Sequence, residues 1–133
     1  MSIPEVLDQK LHKNLDKHCI FCKIITRELP AQIVAETETV LVFKDIAPQA
    51  PVHYLIIPKK HVINIANLEA HDRELAGELL LMAKTLSQQE FIDNSGVSRS
   101  LGSFRLVSNN GESVGQSVFH AHIHFCAGKT MAF

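Results

Sequence analysis

Three of the eight histidines of this 133-residue chain stand at alternate positions in one apolar run, Ser117-Val118-Phe119-His120-Ala121-His122-Ile123-His124-Phe125. Read as a β-strand, a period of two places all three imidazoles on one face and leaves Val118 or Ala121, Ile123 and Phe125 as packing neighbours. Imidazoles in a row on one sheet face lose solvation unless each finds a hydrogen bond or a metal. The run therefore predicts a strand that packs a core on one side and walls a chemical site on the other.

The segment before it points to what that site holds. Asn109-Asn110-Gly111-Glu112-Ser113-Val114-Gly115-Gln116-Ser117 is a loop by composition, with two glycines able to take positive φ. Such a loop can turn backbone N–H groups inward as an anion-holding nest, and Asn109, Gln116 and Ser117 can add side-chain donors. A phosphate-binding loop that runs into a row of imidazoles suggests phosphoryl or nucleotidyl transfer through a histidine nucleophile. The competing reading is a plain turn followed by metal-free, hydrogen-bonded histidines.

The rest of the chain predicts one α+β domain. Strands are expected at 33–36, 39–44, 52–57, 103–108 and 118–125, with a turn around Thr37-Glu38. Leu75, Leu79, Met82, Ala83 and Leu86 mark the apolar face of a helix over residues 72–90, and residues 93–102 read as a loop. Leu7, Leu11 and Leu15, at fourfold spacing, and the stretch 19–25 suggest short helical pieces at the start. Strand runs around one major helix argue for an antiparallel sheet. Residues 1–18 read as an N-terminal extension and 19–133 as the domain.

Thirteen basic against fourteen acidic residues give a net charge of −1, without an electrostatic footprint for nucleic acid or acidic membranes. No apolar run approaches membrane-spanning length, and three cysteines fit a reducing cytosol better than a disulfide framework, so a cytoplasmic protein is expected. Cys19-Ile20-Phe21-Cys22 is a C-x-x-C pair, readable as redox-active, as two buried thiols or as half of a metal site. Asp45 reads equally as a turn aspartate before Ala47-Pro48 and as a site carboxylate. Cys126 reads as packing, and His12, His18 and His71 as solvent-facing.

The segment Gly115-Gln116-Ser117-Val118-Phe119-His120-Ala121-His122-Ile123-His124 resembles the signature of the histidine triad (HIT) family, in particular its Hint branch. The resemblance extends from about Ile20 onward through Phe21-Cys22-Lys23-Ile24-Ile25, Glu28-Leu29-Pro30-Ala31, Phe43-Lys44-Asp45-Ile46-Ala47-Pro48-Gln49-Ala50-Pro51 and His53-Tyr54-Leu55-Ile56-Ile57-Pro58-Lys59-Lys60-His61. It implies an α+β fold with a five-stranded antiparallel sheet and one long helix. It also implies hydrolysis of purine nucleoside 5′-phosphoramidates, releasing AMP or GMP and an amine through a nucleotidyl-histidine intermediate. Within the enzyme class the alternative is a dinucleoside polyphosphate hydrolase. Outside it, the alternative is a non-catalytic zinc- or nucleotide-binding interaction module.

The same resemblance assigns the residues. His122 is the nucleophile, with its second ring nitrogen held by a backbone carbonyl, and His124 is a donor to the same phosphate. Asn109, Gly115, Gln116 and Ser117 bind phosphate oxygens, with Ser117 near the leaving group. Asp45 accepts from the ribose hydroxyls, His53 lies on the ribose and leaving-group side, and Ile20, Phe21, Ile24, Phe43 and Ile46 line the base pocket. Cys19, Cys22, His61 and His120 match a structural zinc set that some family members use, while catalysis needs no metal. A homodimer is implied, with Leu80 and Leu81 as interface candidates. Hint proteins often carry a tryptophan-containing C-terminal tail; this sequence has no tryptophan, a departure that bears on leaving-group choice.

Overall fold

Alternating apolar residues build the central sheet of the computed structural model, which describes residues 15–93 and 95–132. Its strands are β1 (Ile33–Glu36), β2 (Val40–Lys44), β3 (Val52–Pro58), β6 (Phe104–Val107) and β7 (Ile123–Ala127), ordered β1-β2-β3-β7-β6 and antiparallel throughout. A separate hairpin pairs β4 (Glu90–Ile92) with β5 (Ser98–Ser100). The helices are α1 (Ile20–Ile25) and α2 (Arg73–Ser87).

Cross-strand register divides the sheet's two faces. Val42, Ile56 and Ile123 pair across β2, β3 and β7, and with Phe125 they meet Leu79, Met82, Ala83 and Leu86 of α2. Those helix positions recur at three- and four-residue spacing, so one stripe of α2 is buried as the sequence predicts. On the opposite face Phe43, Leu55 and His124 form one cross-strand row, and His53 and Cys126 the next. There α1 covers Leu41, Phe43, Leu55 and Ile57 with Phe21, Ile24 and Ile25. Helix α2 thus stabilises the sheet from behind, and α1 covers only part of the front.

The expected architecture holds, with two local differences. Strand β7 begins at Ile123, not at residue 118. The preceding residues leave the ladder because the Ala121 N–H donates to the Val62 carbonyl at 2.6 Å and the buried His120 ring bonds the Pro58 carbonyl. Only His124 of the three imidazoles therefore lies in regular strand, with the His122 ring beside it, centroids 5.1 Å apart. The expected loop at 93–102 contains a hairpin strand. The Asp93 side chain accepts from the N–H groups of Ser95 and Val97, and Gly96 takes φ 80°, which closes the turn between β4 and β5. Helix α1 begins as expected, with Cys19 as its N-cap. Leu7, Leu11 and His12 lie outside the described residues, whereas Leu15 packs against the α1 cluster.

Candidate active site

The segment entering β7 delivers His120 and His122 and the strand itself His124, and the hydrogen bonds around them fix their tautomers. His122 Nδ1 lies 2.7 Å from the His120 carbonyl, which only accepts, so Nδ1 carries the proton and Nε2 keeps its lone pair. The Ser108 hydroxyl donates to the His122 carbonyl at 2.8 Å, tying the backbone here to the end of β6. The Phe21 ring meets the His122 ring edge-on, with centroids 5.2 Å apart. His122 is buried and held from three sides.

A second chain of bonds sets His124. The Gln49 N–H donates to His53 Nδ1 at 2.9 Å, leaving the His53 proton on Nε2. That proton is shared between His124 Nδ1 at 2.8 Å and Asp45 Oδ2 at 3.3 Å. The neutral His124 ring then carries its own proton on Nε2. Burial pushes the His124 pKa down to about 4, and the neighbouring His122 and His53 add to the effect. Asp45 also serves its turn, since its Oδ1 accepts from the Ala47 N–H at 2.8 Å. Asp45 thus closes its turn and also lines the cavity described next.

These groups border a cavity of about 450 Å³. Ile20, Phe21, Ile24 and Phe43 form its apolar wall, with Asp45, Ser117, His122 and His124 as polar groups. This is the size and character of a small-ligand site, an apolar slot with a few convergent polar atoms. Ile46 stands at the rim, 99% exposed. His53 is buried behind His124 and does not line the cavity. Leu29, Pro30, Ala31, Lys44, Leu55 and Val118 also line it; their own residue types give no signal of a site.

The glycine loop differs from expectation. Its N–H groups at Val114, Gly115 and Gln116 bond carbonyls of Gly111 and Glu112, and the Gly111 N–H donates to Gln116 Oε1. Gly111 and Gly115 take φ 110° and 108°, which lets this short 3-10 turn close on itself. The Gln116 side chain is not a free donor, because its Nε2 donates to the Ile63 and Val118 carbonyls at 2.8 and 3.0 Å. Gln116 instead braces the loop. Ser117 makes no hydrogen bond among the described residues, so its N–H and hydroxyl are both available to a ligand. Asn109 is half-buried and does not line the cavity.

Behind the triad, Cys19, Cys22, His61 and His120 bring four ligand atoms within 4.8 Å of one another. Zn–N bonds of about 2.0–2.1 Å and Zn–S bonds of about 2.3 Å make tetrahedral edges of about 3.3–3.4 Å for N···N and about 3.6 Å for N···S. Here the His61 and His120 Nδ1 atoms are 3.3 Å apart, and three N···S separations are 3.4, 3.4 and 3.5 Å. His120 Nε2 donates to the Pro58 carbonyl at 2.9 Å, which leaves its Nδ1 lone pair facing the other three ligands. Burial pushes the Cys22 thiol up to about 12, so a thiolate there needs a nearby cation. The donor set fits tetrahedral zinc.

The family described as "Scavenger mRNA decapping enzyme C-term binding" matches residues 18–132. An uncharacterized HIT-like protein of Synechocystis is 46% identical over 114 residues, covering 86% of this chain and 93% of that protein. Among solved structures, a HIT family hydrolase from Clostridium thermocellum superposes with a TM-score of 0.76 at 38% identity, covering 88% of this chain and 96% of that one. A HIT family hydrolase from Legionella pneumophila gives 0.75 at 42%, covering 87% and 97%. The chain belongs to the histidine triad family. Among the described residues no helix is long and apolar enough to cross a membrane.

The buried imidazoles make stability depend on acid. A free histidine titrates near 6.5, whereas burial holds His120 and His124 at about 4 in the fold. Between those values the unfolded chain binds more protons, so stability is complete above pH 6.5 and falls toward pH 4. Thermal unfolding with a chelator present is expected to show a lower Tm at pH 4.5 than at pH 7.5. His124→Gln is expected to make that fall shallower; an unchanged pH dependence would show that His124 is not buried neutral.

Proposed function

We propose that this protein is a nucleotide-binding hydrolase of the Hint kind, which cleaves purine nucleoside 5′-phosphoramidates to a nucleoside monophosphate and an amine. One observation carries the reading. His122 has its Nδ1 proton committed to the His120 carbonyl, so its Nε2 lone pair is the free nucleophile at the wall of a nucleoside-sized cavity. The structural relatives that are HIT family hydrolases support hydrolysis at this site.

The base lies in the slot of Ile20, Phe21, Ile24 and Phe43, and Asp45 accepts from the ribose hydroxyls. Ser117 N–H and hydroxyl, with His124 Nε2–H, donate to the phosphate, where negative charge builds in the transition state. Nε2 of His122 attacks phosphorus; the P–N bond breaks, and the amine leaves with its electron pair and a proton drawn from solvent. Water then attacks the nucleotidyl-histidine. The Nε2–P bond breaks, its electron pair returns to His122, and the water's proton passes to solvent. His53 and Asp45 hold His124 in the donating tautomer. Turnover of an adenosine 5′-phosphoramidate with a fluorogenic amine is expected to fall at least about a thousandfold in His122→Ala, the scale of losing a covalent nucleophile. Equal turnover by the variant would overturn the mechanism.

Zinc in the Cys19, Cys22, His61 and His120 set is the second part of the proposal. A closed four-ligand site offers no open coordination position, so the ion's contribution is to hold α1, the end of β3 and the triad backbone together. Metal analysis of purified protein is expected to give about one zinc per chain, and Cys22→Ser to lose it with a lower Tm. A metal-free protein of unchanged Tm after chelation would count against this assignment.

A homodimer is the third part. Leu80 and Leu81 stand on the outer side of α2, 59% and 62% exposed, off the stripe that packs on the sheet. Adjacent exposed leucines on a helix mark an association surface. Light scattering at micromolar concentration is expected to give twice the chain mass, and Leu81→Asp to shift it to monomer; a monomeric wild type would refute it.

A further inference from the structure

Cys19 and Cys22 are a pair of thiols that hydrolysis itself does not use. Both are free, and their sulfurs lie within 4.8 Å of each other. Three residues separate them at the start of α1. A full helical turn rises only about 5.4 Å, inside the Cα span of about 4.4–6.8 Å that a disulfide bridges. The Cys22 N–H donates to Cys19 Sγ at 3.4 Å, so the N-cap sulfur is folded back over the first turn toward its neighbour. A bond between the two sulfurs calls for side-chain rotation within that one turn.

The two sulfurs differ in access. Cys19 is half-buried and lines a surface hollow of about 430 Å³, together with Asp16, His18, His61 and Phe119. Cys22 is buried and borders a smaller hollow of about 190 Å³, shared with Lys17 and Lys23. A small oxidant therefore meets Cys19 first, and Cys22 stands ready to resolve what forms there. Cys126, the third cysteine, is buried in β7 and contributes no atom to the cluster.

We propose that Cys19 and Cys22 form a reversible oxidation site for hydrogen peroxide, whose closure as a disulfide dismantles the metal-ligand set and slackens the triad. The inference rests on the zinc reading above and goes beyond it. The Cys19 thiolate attacks a peroxide oxygen; the S–O bond forms, the O–O bond breaks and hydroxide leaves. The Cys22 thiolate then attacks the Cys19 sulfur; the S–S bond forms, the S–O bond breaks and a second hydroxide leaves. The sulfurs give up two electrons, the peroxide takes them, and protons from solvent turn both hydroxides into water. An external dithiol reverses the bond by exchange.

The consequence runs through His120. Its Nδ1 stands 3.4 and 3.5 Å from the two sulfurs, and its carbonyl holds the His122 Nδ1 proton. A disulfide leaves only His61 and His120 of the four ligands, too few for a structural zinc site. The same closure acts on the first turn of α1, whose Phe21 ring packs on His122. Oxidation thus lowers turnover without altering His122 or Ser117.

In the test, zinc-loaded wild type and Cys126→Ala are treated with hydrogen peroxide and read in three ways. Zinc freed to a chromogenic chelator is measured, remaining thiols are alkylated and any disulfide mapped, and turnover of the adenosine 5′-phosphoramidate is followed. Both proteins are expected to lose the Cys19 and Cys22 thiols together with about one zinc per chain, with the bond mapped between those two residues. Turnover is expected to fall several-fold, and a dithiol with added zinc to restore all three readouts. Metal and thiols that survive a peroxide dose sufficient to oxidise free cysteine overturn the oxidation site while leaving the zinc reading intact. Oxidation confined to Cys126, or one that a dithiol fails to reverse, overturns it as well. Full turnover by the zinc-free disulfide form overturns the link to the triad. Protein that neither carries nor takes up zinc overturns the zinc reading and this proposal with it.

Discussion

The hydrogen bond from His122 Nδ1 to the His120 carbonyl is the contact on which the site depends. It is a short bond at 2.7 Å between a ring and the backbone two residues earlier, so a small rotation of His120 misdirects the nucleophile. His120 is accordingly fixed at three points. Its Nε2 donates to the Pro58 carbonyl, its Nδ1 faces Cys19, Cys22 and His61, and its carbonyl receives His122. One residue thereby connects the end of β3, the start of α1 and the triad. A fully buried imidazole is costly to leave unsatisfied, and this one has partners for both nitrogens.

The sheet makes that arrangement possible by separating its two faces. Along β7 the side chains alternate, so Ile123, Phe125 and Ala127 pack with the core under α2 while His124 and Cys126 lie on the front. Phe125 is fully buried between Tyr54 and Phe104, with ring centroids 6.0 and 4.9 Å away, and this stacking fixes the strand's rotation. A one-residue slip would carry His124 into the α2 core and expose Phe125. The register that stabilises the fold is therefore the register that aims the imidazole.

Most of this was legible in the sequence where periodicity acts alone. The strands at 33–36 and 52–58, the apolar stripe of α2 and the Cys19 start of α1 follow from local pattern. The reading of residues 118–125 as continuous strand was not sustained, because apolar alternation cannot reveal that the Ala121 N–H bonds Val62 rather than a sheet neighbour. Gln116 is a similar case. An amide in a glycine loop reads as a ligand donor, and only tertiary structure shows both N–H directions taken by Ile63 and Val118. Ser108 and Gln49 could not have been found, since a serine after a strand and a glutamine in a turn carry no distinguishing signal. The hairpin at 90–100 was hidden by its serine-rich composition, although Asp93-Asn94-Ser95-Gly96 is turn chemistry.

The separation of the cysteine and histidine cluster from the nucleophile has a physical logic of its own. That cluster brings together four potential ligand atoms, and His122 contributes none of them. A cation held there would leave these two cysteines as thiolates that offset its charge, so its contribution would be to the position of the backbone. The backbone between His120 and His122 transmits position across two residues, and α1 extends the same constraint to the cavity wall through Phe21, whose ring touches Phe43, His120 and His122. Loosening α1 would thus disturb the base wall and the nucleophile together, whereas loosening the glycine loop would disturb Ser117 alone. The apolar wall of the cavity and the His122 ring thus belong to one unit, and Ser117 to a segment braced separately by Gln116.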